Sequence, residues 1–505
     1  MHLGEVADAD CMCQPGAAMV VTRSAAKRPR GEGASVEGAG LVEHLSEVED
    51  ELGGYPLLQR VAKHLDAAAV LSISATCKVA WKARLDIDLS DGSVGCLKLE
   101  QLLHIGGSGG RLRIWGAQVR LHNVAFVSLT GTDVCLQVRN RWVTDLHKGG
   151  LHSLRKLQFQ GATDKPNVTT IKRLAQCFTL HTVDMSGCPG VRDTIIAQLA
   201  RFPALDTLIL RGCALVRDVS ALGACPLLRT LNLTGCIAVS DVTALAACPS
   251  LHTLDLTWCR GVSDVSALGA CPSLHTLNLS DCRGVSDVSA LGACPSLHTL
   301  HLSGCFGVSD VSALGASPSL HTLNLSKCGG VSDVSALGAS PSLHTLDLKG
   351  CTLVSDVSAL GASPSLHTLN LSRCGGVSDV SALGASPSLH TLHLSFSGVR
   401  DVSGLAASNS LHTLNIVRCS LVSDVSALGA CSSLHTLNLD RCSGVRDVSA
   451  LAHCPSLHEL VLDRCMGLSD VSALGACPSL HTLSLVGWDV TGCAALAQVG
   501  IRCTR

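Results

Sequence analysis

The sequence predicts an α/β solenoid, a coil of short repeats with a parallel β ladder on one side and single helical turns on the other. Three observations predict it. A motif of 23 residues recurs, its Leu-His pairs opening at Leu251, Leu274, Leu297, Leu320, Leu343, Leu366, Leu389, Leu411, Leu434, Leu457 and Leu480, with a single step of 22 after Leu389. Apolar residues inside the motif alternate, as in Leu274-His275-Thr276-Leu277-Asn278-Leu279. Of the 505 residues 47% are hydrophobic but only 2% aromatic, so the core must be aliphatic. A unit this short cannot bury its apolar face alone, and stacked neighbours make one continuous core.

Each element follows from the motif, counted here with the opening leucine as position 1. Period-two alternation over positions 1 to 6 predicts a short strand with its leucines inward. Less regular copies at Leu154, Leu180, Leu205 and Leu228 bring the array to about fifteen repeats over residues 151–505. With strands about 4.8 Å apart, fifteen would span roughly 70 Å. The Asp at position 14 and the Gly at position 19, as in Asp287-Val288-Ser289-Ala290-Leu291-Gly292, read as a cap, one helical turn and a stop. So short an outer segment predicts a 3₁₀ or single α turn. The copy opening at Leu389 lacks one residue and the usual Cys, in Ser395-Phe396-Ser397-Gly398-Val399-Arg400, and a local bend is expected there.

Composition narrows the function. The net charge of −2 gives no excess that would favour nucleic acid or a membrane surface. The start, MHLGEVADADCMCQPGAAMVV, has no basic segment followed by an apolar one, and no apolar span of about 18 residues follows. A soluble, cytoplasmic protein is expected, with Lys27-Arg28-Pro29-Arg30 a candidate nuclear address. Of 27 cysteines, twelve occupy position 9 and eight more lie three residues before an opening leucine. Several repeats have Ser at that second place, as at Ser317 and Ser340, so no obligatory partner exists. Small buried thiols are expected, with no metal, no cofactor and no catalytic residue. Gly106-Gly107-Ser108-Gly109-Gly110 matches the letters of a nucleophile elbow, but its flanks form a Gly-rich loop without the strand and helix an elbow needs.

The pattern L-x-x-L-x-L-x-x-C-x-x-V-x-D-V over roughly residues 150 to 500 resembles the cysteine-containing class of leucine-rich repeats, with a shortened outer segment. It is also similar to leucine-rich-repeat proteins of kinetoplastid protozoa, some of which carry a zinc RING. Residues 1 to 150 hold only Cys11, Cys13, Cys77, Cys96 and Cys135, which is not the paired Cys/His ladder of a RING. Residues 51–85, ELGGYPLLQRVAKHLDAAAVLSISATCKVAWKARL, resemble the F-box instead. Pro56, Leu57, Leu58, Val61 and Leu65 stand for its opening, Val70, Leu71 and Ile73 for its second apolar stretch, and Cys77-Lys78 with Trp81 for its close. The segment is one residue short between Pro56 and Leu65 and one long between Cys77 and Trp81. The resemblance implies that these side chains grip a Skp1-like adaptor of a cullin ubiquitin ligase while the repeats hold the substrate. The alternative is a non-catalytic scaffold in which residues 51–85 only cap the solenoid. Residues 1–50 read as a flexible tail. In residues 86–150 the stretches LDIDLS, LRIWG and VAFVSLTG alternate like strands of degenerate repeats or a cap.

Side chains at positions 2, 3, 5, 7 and 8 are expected on the concave face. Position 2 is His from His252 to His481, a column of eleven imidazoles in which like charges would repel. Position 8 varies: Trp258, Asp281, Lys327, Arg373, Phe396, Arg418, Arg441 and Arg464, with Gly in other copies. Variation inside a copied repeat marks this column as the candidate partner-binding row. Trp258 and Phe396 serve as aromatic anchors, and the arginines favour an acidic or phosphorylated partner unless Asp440 and Asp463 pair with them.

Overall fold

A computed structural model describes residues 180–487 and 490–504 and the short segments 85–88, 112–115, 135–137, 156–158 and 171–172. Its elements fall into two units. In the first, Leu85–Asp88 and Leu112–Trp115, two segments whose alternation predicts strands, pair in parallel with Leu85 opposite Leu112. Cys135–Gln137 is a further strand of that unit.

The second unit is an open solenoid. Fifteen strands from Thr182–Asp184 to Arg502–Thr504 pair in parallel, each with the next, and Lys156–Gln158 pairs ahead of the first. Each strand is three residues long, positions 3 to 5, and the register sets equal positions opposite one another, Thr276 against Thr299 and Leu277 against Leu300. The alternation works as expected. Leu274, Leu277 and Leu279 point inward and are 0% exposed, while His275, Thr276 and Asn278 between them are half-buried on the other face. Cys282, Val285, Val288 and Leu291 close the same layer from the outer side, all 0–1% exposed. Burying an aliphatic side chain of this size contributes about 1.5–3 kcal/mol before chain entropy is counted.

The outer segments are 3₁₀ turns, with a four-residue α turn at Ser312–Gly315. The Asp at position 14 opens each turn as its capping chemistry predicts. Asp264 Oδ1 accepts the Ser266 amide at 2.9 Å and its hydroxyl at 2.6 Å, just where the turn Ser266–Ala270 begins.

The Gly at position 19 has a different role from the stop expected of it. Gly292 sits inside the turn Ser289–Ala293 rather than after it. A Cβ at Gly292 would lie 2.2 Å from Ala313 O of the next repeat, and at Gly338 2.2 Å from Ala359 O. Neighbouring turns stack too closely for a side chain, and that contact, not a left-handed cap, explains the glycine.

In the short repeat, Ser397 takes the place of the position-9 Cys, its amide bonding Leu394 O at 3.0 Å, so the missing residue is that of position 10. Thr391 still pairs with Thr413 and Leu392 with Leu414. The deletion is absorbed in the turn and the strand register runs on unbroken. Two features have no counterpart in the sequence reading. The helix Asp193–Leu199 buries Ile195, Ile196 and Leu199 under an early repeat. At the other end the helix Cys493–Gln498 buries Leu496, and the chain returns to add the strand Arg502–Thr504 to the ladder.

Candidate functional site

The strand ends at position 5, so position 8 is not a strand residue. It lies in a turn that borders the strand face, and its backbone is left-handed in every described repeat. φ lies between 52° and 64° at Trp258, Asp281, Lys327, Arg373, Phe396, Arg418, Arg441 and Arg464. Gly187, Gly212, Gly235, Gly304, Gly350 and Gly487 fill the same place at 66° to 92°. Left-handed backbone costs an L residue roughly 1–2 kcal/mol, and glycine removes that cost. Of the eight exceptions only Asp281 belongs to the residue types that tolerate it well. Strain held at the large, exposed side chains of Trp258, Lys327, Arg373, Phe396, Arg418 and Arg464 points to a use for them.

The turn is locked from outside. The position-8 amide donates to the position-7 carbonyl of the next repeat, Trp258 to Ser280 O at 2.9 Å and Arg418 to Asp440 O at 2.8 Å. The side chains therefore project as a ridge along one edge of the ladder, Trp258 52% and Phe396 40% exposed.

Along the ridge the expected residues are brought together unevenly. Trp258 Nε1 donates to Asp281 Oδ2 at 2.9 Å. Phe396 lies between two guanidinium groups, those of Arg373 and Arg418, each 5.0 Å from the ring centre. Lys327 stands exposed between Gly304 and Gly350. Asp440 meets Arg441 loosely, Oδ1 to Nε at 3.8 Å. Asp463 accepts instead from Ser484 Oγ and from the Val486 amide, both at 2.7 Å. Burial and the neighbouring Asp463 raise the Asp440 carboxyl above its ordinary value, against the pull of Arg464 and Arg418. The sequence reading missed Phe306, which stands 52% exposed at position 10 with the Arg283 guanidinium 5.5 Å from its ring. The signal was the same one, an aromatic in a column otherwise filled by unlike residues.

The histidines form a continuous stack from His252 to His481, ring centres 4.0 to 5.4 Å apart and planes within 14° of parallel. Burial first, and then the adjacent imidazoles, hold His298, His321, His344 and His390 below the ordinary imidazole value. Parallel rings send their nitrogen lone pairs in parallel too, so neighbours do not converge on one ion. The column changes partner at the short repeat. From His252 to His390 each Nδ1 lies 3.3–3.5 Å from the hydroxyl of the following Thr. From His412 onward Nδ1–H donates to the carbonyl two residues earlier, as His412 does to Ser410 O at 2.8 Å and His435 to Ser433 O at 2.7 Å.

The position-9 thiols are structural donors. Cys282 Sγ donates to Leu256 O of the preceding repeat at 3.1 Å, a contact repeated at 3.0–3.2 Å from Cys213 to Cys465. Burial pushes the Cys282 and Cys305 thiols up to about 12, away from the thiolate that metal binding or nucleophilic attack requires. Where Ser replaces the second cysteine, its hydroxyl is also used, Ser340 Oγ accepting the Leu343 amide at 3.3 Å. The F-box-like residues Pro56 to Trp81 and the glycines 106 to 110 lie outside the described residues.

Comparison with known proteins agrees with this geometry. Two leucine-rich-repeat family models match, one of two copies over residues 272–316 and one of a single repeat over residues 247–268. Among solved structures, a leucine-rich-repeat protein of Leptospira interrogans is similar at 16% identity, over 87% of this chain and 98% of that one, with a TM-score of 0.54. An internalin of Listeria monocytogenes matches at 22% identity over 61% of this chain and 82% of its own, with a TM-score of 0.45. No curated protein sequence matches. The solenoid thus has the leucine-rich-repeat fold, and residues 247–268 and 272–316 match leucine-rich-repeat models.

Proposed function

We propose that this chain is a non-catalytic protein-recognition module that holds its partner along the position-8 ridge. The observation that carries the reading is the ridge itself: eight side chains kept in left-handed backbone where glycine, used in six other repeats, would sit without strain. Exposed Trp258 and Phe396 give it aromatic anchors in a chain that has few aromatics.

The finer reading is that the module is the substrate-recognition subunit of a cullin-type ubiquitin ligase in the cytoplasm or nucleus, with residues 51–85 docking a Skp1-like adaptor. Its support is the F-box-like order of Pro56, Leu57, Leu58, Val61, Leu65, Val70, Leu71, Ile73 and Trp81 ahead of leucine-rich repeats. Such a receptor works by raising the effective concentration of its substrate near the transfer machinery. The test is affinity purification of the full chain beside a Pro56→Ala, Leu57→Ala, Leu58→Ala variant. Adaptor and cullin should come down with the native sequence alone, both forms giving the same solenoid melting curve. If neither form recovers an adaptor, the module is a scaffold with a capped solenoid.

A further inference from the structure

We infer that the C-terminal half of the ridge is a binding site for an extended anionic peptide segment, held by Arg373, Arg418, Arg441 and Arg464 around Phe396. The inference deepens the reading of the ridge as a partner surface and rests on it. Four arginines occupy position 8 in five consecutive repeats of a chain whose net charge is only −2, so the positive charge is a local feature. The patch has defined ends. Gly350 precedes Arg373 in the column and Gly487 follows Arg464, each in the left-handed backbone that suits glycine. Between them the strain is accepted at every repeat.

Phe396 organises the cluster. With Arg373 and Arg418 each 5.0 Å from its centre, the ring holds two like charges close together that would otherwise swing apart. A guanidinium set over a ring can keep its in-plane N–H groups for a carboxylate or a phosphate. Further along, the internal counter-ion is a poor one. Arg441 Nε and Asp440 Oδ1 are 3.8 Å apart, and both atoms are buried without a hydrogen-bond partner. Asp440 therefore leaves the terminal N–H groups of the half-exposed Arg441 side chain to an incoming anion.

Dimensions select the occupant. Four steps of the ladder are about 19 Å, which an extended peptide covers in about six residues. Asp440 and Asp463 flank the arginines at position 7. They would repel an unbroken polyphosphate backbone, whereas a short peptide can place its charges between them. The partner is therefore an acidic segment of a protein, its anions either Asp/Glu carboxylates or phosphoserines.

The test uses the full chain and measures fluorescence anisotropy of labelled hexaglutamate, a phosphoserine-containing hexapeptide, hexalysine and a short oligothymidylate at low and physiological salt. Saturable, salt-sensitive binding of either anionic peptide is expected, and which binds more tightly identifies the source of the anion. Each single change Arg373→Gly, Arg418→Gly, Arg441→Gly or Arg464→Gly should weaken it about two- to fivefold, and the four together should abolish it. Glycine is native to this position in other repeats, so the melting temperature should not fall. Arg217→Ser, an exposed position off the ridge where most other repeats carry Ser, should leave binding unchanged. No saturable binding, an undiminished fourfold variant, an equal loss on Arg217→Ser, or tighter binding of oligothymidylate overturns the inference. Protein partners that still cross-link through Trp258 when hexaglutamate does not bind would end this inference and leave the ridge reading standing. Partners retained in full by the fourfold variant and by Trp258→Gly, Phe396→Gly would end both.

Discussion

Cys328 and Lys327 are neighbours in the chain and answer to different constraints. The Cys328 side chain is wholly buried and its thiol donates to Leu302 O of the repeat before, 3.1 Å away. Lys327 is exposed, and what limits it is its own φ of 62°. The same division runs the length of the solenoid. Where a residue is buried against a neighbouring repeat, as in the Cys, Gly and Leu columns, the letters repeat. At the ridge, where neighbours meet at the surface, they change. Repetition here records buried inter-repeat contact, and the varied ridge is where a partner is free to be specified.

Substitutions on both sides of that division can break or sharpen it. The largest effect belongs to the strand core. Leu300→Ala, at a fully buried position mid-ladder, should cost about 2–5 kcal/mol by urea denaturation, and a loss below about 1 kcal/mol would mean that repeats fold too independently to share a core. Next comes Gly338→Val, whose Cβ would sit 2.2 Å from Ala359 O. A loss of about 1–3 kcal/mol is expected, and a neutral result would return this glycine to a simple stop. Cys328→Ala should cost about 1 kcal/mol, since Leu302 O keeps the Cys305 amide at 3.0 Å. In the native protein the Cys328 thiol should not react with a thiol reagent until the array opens, because burial raises its pKa.

Mild acid probes the stacked histidines. The folded values of His298, His321, His344 and His390 are depressed, so at these residues the unfolded chain takes up protons first. Stability is full above about pH 6.5, the unfolded value, and falls as the pH drops below it. The position-14 carboxylates, held low by the Ser266 hydroxyl and amide at Asp264 and likewise elsewhere, act only below about pH 4. A melting temperature unchanged between pH 7.5 and 5 would remove the histidine effect. The smallest change has the opposite sign. Lys327→Gly should stabilise the array by about 0.5 kcal/mol, relief of left-handed strain less the entropy glycine loses on folding.

Much of this was legible in the letters, for reasons that differ by column. Leu274, Leu277 and Leu279 announce a strand because alternation has only one geometric meaning at that period. Asp264 announces its turn because its carboxylate suits the amides it caps. Gly292 was legible only as a place needing glycine: a missing Cβ reads the same whether backbone twist or a neighbouring carbonyl demands it. Position 8 was picked out by its variation, but its backbone was not. Two clues were present, the glycines alternating with large residues there and the distance from the last strand residue, yet neither fixes a φ without the hydrogen bond from the next repeat.

By itself the sequence determined the solenoid, its period, the inward leucines and the aliphatic core, because these follow from spacing and from the need of each repeat to be covered by its neighbours. Only the tertiary structure decided which residues meet across repeats: the thiols on the preceding carbonyls, the imidazoles stacked face to face, Phe396 between two guanidinium groups. Those contacts join residues about 23 positions apart, and their form depends on rise, twist and rotamer along the stack, quantities that no single repeat encodes.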